Sequence, residues 1–117
     1  MNELTKLTGY WYELMIDHHK DRDCHWYIVE KHSYGEPPVW YAQHYGYILD
    51  EIYSPDFPTY EGAANWLINR LKRAIKVEID SLMVYSGDNY DLKLTREQID
   101  RFLVIRRDVA VYDREKT

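Results

Sequence analysis

The sequence predicts an α+β fold: a three-stranded antiparallel meander packed by one long amphipathic helix, with a second C-terminal helix after it (β-β-β-α-α). Two observations predict it. The first half is rich in aromatic and β-branched residues that alternate with period two between turn signals, and the second half changes to a helical period. Nothing alternates strand with helix, which argues against a parallel sheet. At 117 residues the chain is near the commonest domain size, so one domain over 1–117 is expected.

The elements follow in order. "YWYELMIDHH" reads as a strand with Tyr12, Leu14 and Ile16 on one face and Trp11, Glu13, Met15 and Asp17 on the other. "CHWYIVEKHS" reads as a second strand, aromatic and β-branched. "GEPP" is a turn, because two prolines in a row remove donors that a ladder needs. "VWYAQHYGYILDEI" is the third strand. After the connection "SPDFPT", Thr59 is a fair N-cap for a helix over roughly 60–84. Its apolar face is Ala64, Ile68, Leu71, Ile75, Ile79 and Leu82, at spacings of four, three, four, four and three. Arg70, Lys72, Arg73, Lys76 and Glu78 fall on its other side and read as a solvated face. "SGDN" stops the helix. "TREQ" is a capping box, Thr95 with Gln98, and opens a second helix with Ile99, Phe102 and Leu103 as its apolar edge. Its end is open, since Val104, Ile105, Val109 and Val111 also suit a strand. Small β-β-β-α domains of several families, double-stranded RNA-binding domains among them, share this outline, which by itself carries no function.

The bulk composition excludes several classes. Cys24 is the only cysteine, so no internal disulfide can form and a reducing compartment is expected. The N-terminus shows no signal-peptide pattern, and no run approaches the roughly 20 apolar residues of a membrane span. A soluble cytoplasmic protein with no membrane contact is the resulting expectation. Residues 1–57 hold ten acids against four bases, and residues 58–117 hold ten acids against eleven. An acidic chain argues against nucleic acid, whose phosphates need basic contacts, and favours a basic protein surface.

One stretch concentrates groups capable of chemistry. "DHHKDRDCH", residues 17–25, holds three histidines, three aspartates and the cysteine. With Asp21 and Arg22 at a hairpin tip, His18 would oppose His25 and His19 would oppose Cys24, close enough to share an ion. His18, His19, His25 and Asp17 are therefore the candidate metal ligands, and a metal-dependent hydrolase or nuclease is the alternative function. The preferred reading is a solvated hairpin end. Zinc sites with two cysteines two residues apart, or HExxH on a helix, have no counterpart here. Cys24 has no base fixed beside it by sequence, so nucleophilic catalysis is not expected. No glycine-rich phosphate loop, GxSxG or dinucleotide fingerprint occurs, and neither a catalytic residue nor a cofactor is assigned.

The aromatic load carries the functional reading. A sheet has two faces, and one helix covers one of them. Tyr41, Tyr45 and Tyr47 are expected outward, because Trp40, Ala42 and Ile48 make the better core set. Glu13 and Glu30 are expected to rim the patch. These five residues are the candidate partner-binding site of a non-enzymatic interaction module, an acidic inhibitor or adaptor for a basic protein surface. A free face or an unpaired strand edge would also allow a homodimer. A small nucleic-acid-binding domain using the long helix is the third reading.

The metal reading is open to a direct measurement. After chelation and dialysis the protein should hold no stoichiometric zinc, manganese or iron, and added ion should barely move its melting temperature. A tight site would add about 2.7 kcal/mol at a hundredfold excess over Kd. A thermal shift abolished by both His18→Ala and His25→Ala would promote the enzyme.

Overall fold

The computed structural model describes residues 2–16, 25–45, 52–87 and 94–115, with side chains placed through 83 in the long helix and through 110 in the last one. The chain divides into two compact units, Met1–Leu71 and Lys72–Thr117. No helix among the described residues is long and apolar enough to cross a membrane.

The element order is α1 (Glu3–Leu14), β1 (His25–Lys31), β2 (Val39–Tyr45), β3 (Ile52–Tyr53), α2 (Tyr60–Gly87) and α3 (Arg96–Glu115). The class is α+β, and the sheet is an antiparallel three-stranded meander in the order β1-β2-β3, followed by helices. The β-β-β-α-α order holds from His25 onward, and an additional helix precedes it.

That helix corrects one sequence expectation. Tyr10–Ile16 is helical, where a first strand was expected. Asn2 caps it, its Oδ1 accepting from the Thr5 N–H at 2.8 Å. Leu7, Tyr10, Trp11 and Leu14 are all buried, at the i, i+3, i+4, i+7 spacing of one helical stripe. A strand would have sent Trp11 and Leu14 to opposite faces. The helical period buries both. The hairpin drawn from this strand through residues 17–24 loses its first arm, and those eight residues lie outside the described ones.

The β1–β2 register runs from His25↔Tyr45 to Lys31↔Val39. Its turn closes with the Glu36 N–H donating to the Ser33 carbonyl at 3.1 Å. Gly35 there has φ of 78°, a conformation a side chain disfavours. On the third strand Gln43 pairs with Tyr53 and His44 with Ile52, while an isolated bridge joins Trp40 to Phe57. Three residues separate Tyr53 from Phe57 and only two separate Trp40 from Gln43, so the outer strand bulges at Ser54–Asp56. Pro55 has no N–H to give. The Ser54 hydroxyl mends the ladder by accepting from the Ala42 N–H at 2.7 Å and donating to the Pro55 carbonyl at 2.8 Å.

Even-numbered positions of β1 and β2 form the covered face of the first unit. Ala42 and His44 have no exposure, and His44 lies 6.0 Å from the Trp11 ring and 4.8 Å from the Trp26 ring. Trp26 in turn meets Trp66 of α2 edge-on at 6.3 Å. Thr59 caps α2 as expected, its Oγ1 accepting from the Gly62 N–H. In the second unit the Thr95–Gln98 capping box closes in both directions, at 2.8 and 3.1 Å. Phe102, Ile105 and Val109 are buried at helical spacing, which settles this segment as α3 through Glu115, and Arg106 bridges to Asp80 at 3.0 Å. Lys72, expected in solvent, is buried, because it stands four residues after Ile68 and three before Ile75 within the apolar stripe.

All six residues of the apolar stripe on α2 are buried, Leu71, Ile75 and Ile79 completely. Leu71→Ala should therefore cost about 2–5 kcal/mol in a chemical denaturation series. A loss below about 0.5 kcal/mol would contradict the packing described.

Candidate functional site

The odd-numbered positions of the strands form the other face. His25, Tyr27, Val29 and Lys31 of β1 stand opposite Tyr45, Gln43, Tyr41 and Val39 of β2, and Tyr53 of β3 opposes Gln43. Period two puts these side chains together on one surface. Tyr27, Tyr45 and Tyr53 are 48, 52 and 53% exposed, while Tyr41 between them is half-buried. Tyr41 and Tyr53 tilt against each other with centroids 6.1 Å apart.

The polar part of this face is a strap across all three strands. The Lys31 ammonium passes over the Tyr41 ring, 5.8 Å from its centroid, and donates to Asp56 Oδ2 at 2.8 Å beyond β3. The bulge at Ser54–Asp56 precedes Phe57, so it brings the Asp56 carboxylate onto the same surface as the tyrosines. Lys31, Tyr41, Tyr53, Ser54 and Asp56 line a shallow depression of about 250 Å³. Asp56 holds the Lys31 ammonium above its ordinary value of 10.5, first through the hydrogen bond and then through its charge. Such a lysine is protonated at neutral pH and offers neither a base nor a nucleophile. The Ser54 hydroxyl is committed to backbone groups on both sides.

The expected residues fall as follows. Tyr41 and Tyr45 lie on the open face, opposite in parity to buried Ala42, and Tyr47 lies outside the described residues. Glu13 sits on α1. Glu30 shares the parity of Trp26 and Ile28, opposite to the tyrosines, and contacts His32 at 3.3 Å. A carboxylate that does stand beside the tyrosines is Asp56. Among the candidate metal ligands, Asp17, His18 and His19 lie outside the described residues. His25 stacks on Tyr12 of α1 at 4.6 Å. His25 and His44 take opposite faces of the sheet and His32 follows β1, so the described histidines do not converge. Among the described residues no group of three His, Cys, Asp or Glu could hold a metal ion. Sequence reasoning missed Lys31, Tyr53 and Asp56. The signal for Lys31 and Tyr53 was parity, and none existed for Asp56, whose placement depends on the bulge.

Comparison with family models, with curated proteins and with solved structures finds no match.

The strap has a titration signature. Lysine is stabilised in its charged form by the fold, so the interaction is fully present below 10.5 and lost as pH rises through the raised value. Asp56→Asn should bring the Lys31 midpoint down toward 10.5 in a side-chain NMR titration, with the fold intact. An unmoved midpoint would mean the two groups do not pair in solution.

Proposed function

We propose that the chain is a non-enzymatic interaction module that binds the basic surface of another protein through the tyrosine-rich face of its sheet, as an inhibitor or adaptor would. The observation that carries this reading is the joint exposure of Tyr27, Tyr45 and Tyr53 on one face of a packed sheet. Neighbouring aromatic rings left in water cost hydration free energy that a partner recovers. Tyrosine suits the task, because it buries a large area, loses little rotamer freedom and keeps a polar tip for a wet rim.

Charge supports the choice of partner. Met1–Leu71, the unit that carries this face, holds eleven acids and five bases. A basic surface would be drawn to it from beyond contact distance, faster at low salt. A second copy of the chain is the other occupant to consider, since β1 forms one edge of the described sheet.

Site-specific cross-linking tests the proposal. A photoreactive residue in place of Tyr45 should trap a protein with a basic surface, in a yield that falls as salt rises. The same residue in place of Leu103, which is 48% exposed on α3, should trap nothing comparable. Tyr27→Ala with Tyr45→Ala should weaken binding of the trapped protein by roughly tenfold or more while leaving the fold intact. Unchanged affinity, an unfolded double variant, or no adduct above the Leu103 control would end this reading.

A further inference from the structure

We infer that the depression bounded by Tyr41, Tyr53 and Asp56 is a receptor for one lysine ammonium of the partner, with Lys31 as a built-in occupant that the partner's side chain displaces. The inference rests on the proposed interaction face and names the chemistry of its central contact. The structure already shows an ammonium in place. The Lys31 amine lies over the Tyr41 ring at 5.8 Å and donates to Asp56 at 2.8 Å, with Tyr53 beside Tyr41 as a second wall. An aromatic face and a carboxylate on adjoining sides are the two groups that recognise a cation bearing N–H donors.

Size narrows the occupant. At about 250 Å³ the depression falls below the roughly 300–1,000 Å³ of sites that hold a cofactor or drug-sized ligand. Lys31 is itself one wall of this space, which has room for the end of a single further side chain beside it and opens toward the ring and the carboxylate when Lys31 leaves. Charge narrows it further. Lys31 feels the charge of Glu36 as well as that of Asp56, so with Lys31 swung out the site presents negative charge and a cation can replace the lysine. An anion would have to part Lys31 from Asp56 and then face that carboxylate.

Exchange is also cheap. The Lys31 and Asp56 side chains are each 48% exposed, and ion pairs so open to water hold weakly. A lysine arriving on a docked protein would meet the same ring and carboxylate with water excluded, where both contacts strengthen. Lys31 loses little by returning to solvent. In the absence of a partner it shields Asp56, so the open face does not present a bare carboxylate among tyrosines.

The test needs no partner protein. The probe is Nα-acetyl-lysine methylamide, followed by NMR at the ring protons of Tyr41 and Tyr53, with the norleucine counterpart as neutral control. Lys31→Ala should bind the lysine probe saturably and at least threefold more tightly than the unaltered chain. In the Lys31→Ala background, Asp56→Asn should weaken binding at least fivefold. Asp100→Asn on α3, which removes one charge elsewhere, should not. Lys31→Ala binding no tighter than the unaltered chain, equal response to norleucine, or insensitivity to Asp56→Asn overturns the inference. So does saturable binding of inorganic phosphate that Lys31→Ala abolishes, since Lys31 would then be part of an anion site. None of these failures touches the cross-linking at Tyr45, so the pocket can fall while the interaction face stands.

Discussion

His44 pairs with Trp26 across β1 and β2, and the sheet's organisation follows from how that pair is covered. Trp11 of α1 closes on the histidine and Trp66 of α2 closes on Trp26, so helices from both ends of the first unit meet the sheet on its even-numbered side. The indole N–H groups of Trp11 and Trp26 are buried without an acceptor among the described residues. Buried aromatic area and ring geometry must therefore hold this layer, against the desolvation cost of two donors. With the even positions inside, the odd ones turn to the other side, where α1 reaches His25 through Tyr12 while Tyr27, Tyr45 and Tyr53 stay exposed. A slip of one residue would exchange the two sets and bury Tyr27, Tyr41 and Tyr45 in place of Ala42 and His44. The exposed tyrosines are thus a consequence of the same packing that makes the sheet stable.

A second local constraint shapes that open face. Pro55 interrupts the outer strand, and at the bulge the Ser54 N–H donates to the Ala42 carbonyl while the Ala42 N–H turns to a side-chain oxygen in place of a strand carbonyl. The Ser54 side chain supplies that oxygen, and the strand gains a residue. That extra residue moves the chain by half a pleat, which is how Asp56 joins Tyr53 on one surface while Phe57 returns to pair with Trp40. Lys31, at the end of β1, then finds its carboxylate partner 25 residues later. The Ser54 hydroxyl, bonded to the Ala42 N–H and the Pro55 carbonyl, thus sits within the bulge that turns Asp56 toward the tyrosines.

How far the sequence discloses this structure differs from element to element. The α2 stripe, the cap at Thr59 and the box at Thr95 are written in short-range spacing, and the structure follows them. The parity of β2 is legible because Trp40, Ala42 and the tyrosines differ so plainly in size and polarity. The first helix is ambiguous in the letters themselves. Tyr10–Ile16 satisfies period two and period 3.6 alike, and only Leu7 together with the Asn2 cap separates them. Read from Tyr10 onward, the aromatic run favours a strand; read from Asn2, it is an amphipathic helix. Glu30 was misplaced for a different reason, because its parity depends on a register that no single strand specifies. The Lys31–Asp56 strap has no local pattern at all and emerges only when a bulge and a three-strand register are combined.

The charge of the chain divides along the same line as its structure. Lys72–Thr117 holds nine acids and ten bases, and some of these are paired internally, as in Arg106 with Asp80 and Arg96 with Asp100. Met1–Leu71 has an excess of six acids, and its Lys31 is already tied to Asp56. The excess cannot be cancelled by bases of the same unit, so it is left to counterions or to a partner. Counterions screen it within about 10 Å at ordinary salt, which limits its effect on affinity but not on the direction of approach. On the proposed reading, affinity would come from area buried on the tyrosine face, and the acids would act chiefly on which surfaces arrive there and how fast. A face built in this way would select by charge at a distance and by shape at contact, and the proposed ammonium seat at Asp56 would fix how the two surfaces align.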